Sequence, residues 1–172
     1  MSNIGGWIKY SVIGEYKCAF EKFNGKLTFD PDKLDESYVY MEIDAGSLKS
    51  DRNNLDKIAM SPVLLDIENY PVISFKSEKI EASYPENNDY IVSGELNMHG
   101  ISKKVKFPFR LEKNTDEKGN KIIKASGEWK INRKEYDIYW HPYFDKGGIL
   151  IGNHLNVEWD LTAEELSADQ AK

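Results

Sequence analysis

Cys18, His99, His141 and His154, with the acidic pair Glu135 and Asp137, are the residues best suited to chemistry in this 172-residue chain. A nucleophile needs a neighbouring base, commonly at a sharp turn. No Gly-x-Ser-x-Gly elbow occurs, and Cys18 lies in a strand-like run with no nearby histidine. Cys18 therefore reads as a small buried strand residue. A histidine metal site usually shows one close pair at helix or hairpin spacing, and the three histidines are far apart. One route remains, His141 meeting His154 across a hairpin. The competing reading ends a strand at His99 and puts His154 on an outer face with Asn156 and Glu158. Glu135 and Asp137 flank Tyr136, a spacing open to acid–base work; a solvent-facing pair, or one paired with Arg133, is the favoured reading. No glycine-rich phosphate loop stands between a strand and a helix. An enzyme thus has no positive support in these residues.

The elements that would position such groups are strands. Trp7–Gly14 opens the series, with Ile8, Tyr10 and Val12 on one face. Tyr16–Phe29 is predicted to hold a strand and its return, pivoting at the hairpin dipeptide Asn24-Gly25. Strands follow at Ser37–Ile43, Tyr70–Ile80, Tyr90–Met98, Lys103–Lys113, Lys121–Ile131 and Ile149–Leu161. Asp51–Asp66 changes character: Leu55, Ile58 and Ala59 have helical spacing, with Ser50 or Asp51 as N-cap and Pro62 as interruption. Asn114–Asn120 is a polar turn. Residues 1–162 form one domain, and 163–172 a polar tail. The expected architecture is all-β, about eight antiparallel strands with one or two short helices, closed as a barrel or stacked as a sandwich.

Composition narrows the function classes. The formal net charge is −6, which disfavours nucleic acid, whose binding rests on clustered Lys and Arg. One cysteine excludes an internal disulfide and a thiolate metal cluster. The first sixteen residues lack a basic region followed by an apolar run, so no signal peptide is read. No apolar run approaches the roughly 20 residues of a transmembrane helix. The expectation is a soluble chain, cytoplasmic as written or periplasmic if an export signal was removed.

The apolar residues carry the pattern. Val105, Phe107, Phe109 and Leu111 alternate with Lys104, Lys106 and Arg110; Ile149, Ile151, Leu155, Val157, Trp159 and Leu161 repeat the alternation. A closed barrel places its apolar faces inside, and eight strands leave an interior either filled by side chains or able to hold one small ligand.

Three segments together resemble the YceI-like family, the lipocalin-like polyisoprenoid-binding proteins. They are Ser61–Ser77 (SPVLLDIENYPVISFKS), Gly94–Val105 (GELNMHGISKKV) and Trp129–Ile138 (WKINRKEYDI) followed by Gly147-Gly148 and Leu150–Gly152; Phe20–Asp30 fits the family's early hairpin. The likeness runs in order from Phe20 to Leu161. Asp137 replaces the family's usual glycine, at a position where positive φ is tolerated better by Asp than by most residues. Cys18 stands where members often carry Gly, and the family's N-terminal strand has no clear counterpart before Trp7.

The resemblance implies an extended eight-stranded antiparallel barrel whose elongated apolar cavity takes a long-chain amphiphile: an isoprenoid quinone, a polyprenyl derivative or a fatty amide. No cofactor is required, and a bound isoprenoid or fatty-chain lipid is expected. A homodimer and a membrane redox partner remain open as partners. Taking the apolar face of each strand as inward, the ligand-binding candidates are Phe20, Phe29, Ile73 and Phe75, then Val92, Leu96 and Met98, and finally Phe107, Phe109, Trp129 and Ile131. Arg133 and Tyr136 are expected to stabilise the closing segment, Arg133 through a carboxylate. The rival readings are an interaction module with a filled core and a His141/His154 enzyme.

Overall fold

The computed structural model describes residues 2–10, 14–84, 87–139 and 151–164. In chain order the elements are β1 (Asn3–Tyr10), β2 (Gly14–Phe20), β3 (Phe23–Thr28), β4 (Tyr38–Asp44), β5 (Leu48–Lys49), helix α1 (Asn53–Met60), β6 (Val72–Tyr84), β7 (Asp89–Met98), β8 (Ile101–Thr115), β9 (Lys121–Asn132) and β10 (Ile151–Glu164). All strand pairs are antiparallel, in the order β3-β4-β6-β7-β8-β9-β10-β1-β2-β5. The sheet curls into a half-barrel with one short helix. At about 3.3 Å per residue, the 15-residue β8 extends roughly 50 Å, so the half-barrel is elongated.

Ten strands stand where about eight are expected: Tyr16–Phe29 divides into β2 and β3, and Leu48-Lys49, in no expected strand, adds β5. β2 and β3 are separated by Glu21-Lys22 alone, and β4 and β5 by a 3-10 turn at Ala45–Ser47. Asn24-Gly25 is not a hairpin. It lies inside β3, opposite Glu42 and Met41. Glycine is needed there for close approach, since a Cβ would sit 2.7 Å from the Tyr40 carbonyl. The partner strand therefore overrides the local turn propensity of the dipeptide. The breaks are stitched together: Glu21 N donates to Ser47 O (3.1 Å), Lys22 N to Ser47 Oγ (3.0 Å), and Asp44 N to Lys22 O (3.0 Å).

The long hairpins follow the sequence more closely. His99 (φ 53°) and Gly100 (φ 74°) turn β7 into β8, the two positive φ values that a tight two-residue hairpin turn demands. Gly119 (φ 86°) serves the β8–β9 turn, where Asp116 Oδ1 accepts from the backbone amides of Lys118 and Asn120. In β6 a bulge between Ser77 and Lys79 shifts the register against β7. It passes the inward face from Ile73 and Phe75 to Ile80, and frees Ser77 Oγ to accept from Val39 N at 2.8 Å.

α1 starts from Arg52 with no side-chain cap, so neither Ser50 nor Asp51 is the N-cap. Ser50 instead binds Asp56 in the helix. β10 runs to Glu164, two residues past the expected domain end; 165–172 lie outside the described residues.

Candidate functional site: an elongated apolar cavity

Inside the curl lies a cavity of about 1310 Å³. Pockets for drug-sized ligands run to ~300–1,000 Å³, so this one suits something larger. All eleven residues expected to point inward line it: Phe20, Phe29, Ile73, Phe75, Val92, Leu96, Met98, Phe107, Phe109, Trp129 and Ile131. Register explains their convergence. Val92 pairs with Phe107, Phe75 with Leu96 and Leu155 with Ile131, so neighbouring strands present apolar side chains on one face.

Phe107 is the hub of the wall. Its ring centroid lies 5.1 Å from Trp129 (stacked), 5.1 Å from Phe75 and 5.3 Å from Trp159 (edge-on). Gly127 makes this possible. It faces Trp159 across the β9–β10 pair, and the indole occupies the space a Cβ would need, 2.3 Å from the ring.

One end of the cavity is plugged by α1. Leu55, Ile58 and Ala59 line it there, beside Tyr16 and Cys18. Asp56, on the same helix and buried, receives the Tyr16 hydroxyl at 2.6 Å and Ser50 through both its backbone amide (3.0 Å) and its hydroxyl (2.5 Å). Burial alone would raise the Asp56 carboxyl, but these hydrogen bonds, with the charge of Lys49, hold it below its usual value. The Tyr16 phenol is pushed well up by burial and by its bond to Asp56. The Cys18 thiol is pushed up to about 11, by burial first and then by the Asp56 charge. At neutral pH it is a protonated thiol in an apolar wall, not a nucleophile. Reading the strands alone did not place Tyr16, Asp56 or Leu55 at the site. The available signal was an acid, Asp56, beside the apolar residues of a short helix.

At this same end a 3-10 turn, Arg133–Tyr136, follows β9. Arg133 is buried and donates to three backbone carbonyls: Nε to Gly152 (2.8 Å), Nη1 to Ile138 (2.5 Å) and Nη2 to Ile151 (3.2 Å). The expected carboxylate partner is corrected to this carbonyl cage. The guanidinium fork satisfies three strand-end acceptors at once, which a carboxylate contact would not. Asp137 adopts the left-handed conformation (φ 55°) expected of the glycine it replaces.

The opposite end is the mouth. β3 pairs with β4 on one side only, and every residue from Phe23 to Thr28 lines the cavity, so the unpaired edge of this strand borders the opening. Across from it stand the ends of β8, β9 and β10.

The chemistry-bearing candidates are not brought together. His99 Nδ1 lies 3.0 Å from Tyr136 O in the β7–β8 turn, and His154 is exposed on β10 opposite Asn132. His141 lies outside the described residues. Among the described residues no group of three or more His, Cys, Asp or Glu side chains could hold a metal. No helix among them is long and apolar enough to cross a membrane.

The fold class is an all-β curled antiparallel sheet, a half-barrel around a large apolar cavity. The chain belongs to the YceI-like domain family, whose model matches residues 2–163. It is 33% identical over 88 residues to a UPF0312 protein of Pseudomonas putida, covering 51% of this chain and 45% of that one. A UPF0312 protein of Pectobacterium carotovorum is 26% identical over 121 residues, covering 70% and 62%. The chain thus spans about half the length of the curated relatives it matches. Among solved structures it superposes on BcnA of Burkholderia cenocepacia with a TM-score of 0.82, at 22% identity, covering 94% and 96% of the two chains. A polyisoprenoid-binding domain from Saccharophagus degradans gives a TM-score of 0.70 at 12% identity, covering 96% and 94%. At such identities these two likenesses speak to the fold.

Proposed function

We propose that this protein binds and carries, or sequesters, a long-chain apolar amphiphile, an isoprenoid quinone, polyprenyl derivative or fatty amide, without catalysing a reaction. The observation that carries this reading is the elongated cavity walled by aromatic and aliphatic side chains. The eleven lining residues named above are its tail-binding surface, with Phe107 and Trp129 at the centre. The chain continues from β2 into β3 and from β4 into β5 as two bent runs, so eight runs of strand curl around the ligand.

Energetics favour a long tail. Each buried CH₂ contributes about 0.8 kcal/mol, so a tail of about twenty carbons offers well over ~10 kcal/mol of gross transfer energy. Loss of translational freedom and ordering of the tail offset ~4–15 kcal/mol of that. Affinity therefore grows with tail length, and selectivity falls to the head group.

The test is extraction of purified protein with organic solvent and mass spectrometry of the extract, alongside titration with a long-chain quinone. A co-purified lipid or saturable quinone binding, weakened by Phe107→Arg, is the expected result. An empty extract together with no saturable binding would overturn the carrier reading.

A further inference from the structure

The stretch that carries α1 bonds mostly to itself. Among the described residues, the backbone hydrogen bonds of residues 50–70 all close within that stretch, including Leu65 N to Ala59 O (2.9 Å), Ile67 N to Met60 O (3.2 Å) and Tyr70 N to Asp66 O (2.8 Å). Backbone bonds to the sheet come only beyond its two ends, where Lys49 pairs with Ala19 and Pro71 O accepts from Ala45 N at 2.9 Å. Behind the helix the stretch is anchored: Leu64, Leu65 and Ile67 pack on the main core, and the Tyr70 ring lies 4.5 Å from that of His99. The helix itself packs in a smaller, satellite cluster of Tyr16, Leu48 and Ala59.

Two side-chain hydrogen bonds, the only ones among the described residues, tie this stretch to the barrel. The Tyr16 hydroxyl of β2 donates to Asp56 Oδ1 at 2.6 Å. Arg52 Nη1 donates to the Tyr10 hydroxyl of β1, its guanidinium 5.4 Å from the centre of that ring. Both tyrosines line the cavity, as do Leu55, Ile58 and Ala59 at helical spacing. Ile58 is also 39% exposed, so the barrier here is a single side chain deep.

We propose that α1 is a lid: released from Tyr16 and Tyr10, it swings about the loop behind it and opens a second route for the tail, at the end of the cavity opposite the mouth. This assignment rests on the carrier reading above and deepens it. The strand wall parts only by breaking a ladder of backbone bonds. The helix parts by losing two side-chain bonds and a small apolar contact, and it keeps its own backbone bonds as it moves. Segments with so few bonds to their surroundings are the ones that open locally, well below the cost of global unfolding.

Cys18 is the one cysteine of the chain and lines the cavity in the same small cluster as α1, so it reports on opening. Wild-type protein, Tyr16→Phe and Arg52→Gln are compared with Ser77→Ala, which removes a hydrogen bond to Val39 on the sheet instead. The first measurement is the rate of Cys18 modification by sulfonatoethyl methanethiosulfonate, an anion that the apolar length of the cavity excludes from the mouth side. The second is the stopped-flow association and dissociation of dansyl-labelled geranylgeraniol. Each latch variant should label about tenfold faster than wild type, the equivalent of about 1.4 kcal/mol for a lost bond. The Tyr16 hydroxyl favours the Cys18 thiolate, so its loss alone would slow labelling, opposite to the expected effect. Association and dissociation of the probe should both accelerate while Kd stays near the wild-type value, because a gate changes both rates and a binding contact changes affinity. Retained affinity also shows that the variants are folded. Wild-type labelling rates in both latch variants, an equal rise in Ser77→Ala, or faster labelling with unchanged probe exchange would overturn the lid and leave the carrier reading standing. Faster labelling in a protein that does not bind the probe saturably would overturn the carrier reading and leave α1 as a latched, opening helix.

Discussion

Asp56 shows how one residue ties the plug to the container. Its carboxylate collects the Tyr16 hydroxyl from β2 and two donors from Ser50, so the helix that closes the cavity is held by hydrogen bonds to a charged acceptor. Such bonds are worth more than neutral ones, and Asp56→Asn should cost about 1.5–3 kcal/mol near neutral pH. The sign with pH follows from the lowered folded-state value. A carboxyl depressed on folding contributes stability above its unfolded value of about 3.9, and loses it as pH falls through the folded value. Urea titrations of wild type and Asp56→Asn should therefore differ most at neutral pH and converge under strong acid. A difference that stays constant across that range would show that the carboxylate charge plays no part.

At the scale of elements, the closing segment depends on one side chain bridging parts of the chain that are far apart in sequence. Arg133 bonds the carbonyls of Ile138 just after its own turn and of Ile151 and Gly152 at the start of β10. Burial lowers its pKa, yet a guanidinium stays charged, and the carbonyl cage supplies the partial negative charge it needs. Arg133→Lys keeps the charge but cannot span three acceptors. It should destabilise the protein by about 2–3 kcal/mol in chemical denaturation, with little change in ligand tail selectivity. A substitution without cost would mean that the cage is not what anchors β10 to the turn after β9. Alternation in β9 announced the strand. The cage could not be read, because its acceptors are backbone atoms without residue identity.

For the whole molecule, a large apolar cavity trades packing for capacity. Its lining gives up contacts that a filled core would make, and a ligand restores them. Binding to the folded state alone adds about 2.7 kcal/mol at a hundredfold excess over Kd. For a chain of this size that corresponds to a Tm increase of roughly 5–11 °C. A long-chain quinone should produce such a shift in differential scanning fluorimetry, and the same quinone without its tail should not. Equal shifts from both would locate the stabilising contact at the head group instead of in the cavity.

The period-two alternation of apolar residues set, by itself, the two faces of each unbulged strand, because successive residues of a strand point to opposite faces. The end of β7 at His99 was legible too, whereas the two-residue turn there came from the pairing of Met98 with Ile101. What only the tertiary structure decided depends on partners distant along the chain: that Asn24-Gly25 stays in a strand against Glu42 and Met41, that two runs break at Glu21-Lys22 and Ala45–Ser47, and that Arg133 bonds carbonyls. The meeting of Tyr16 with Asp56 belongs with these. Curvature and pairing register bring such residues together, and both are properties of the assembled sheet, not of any one strand.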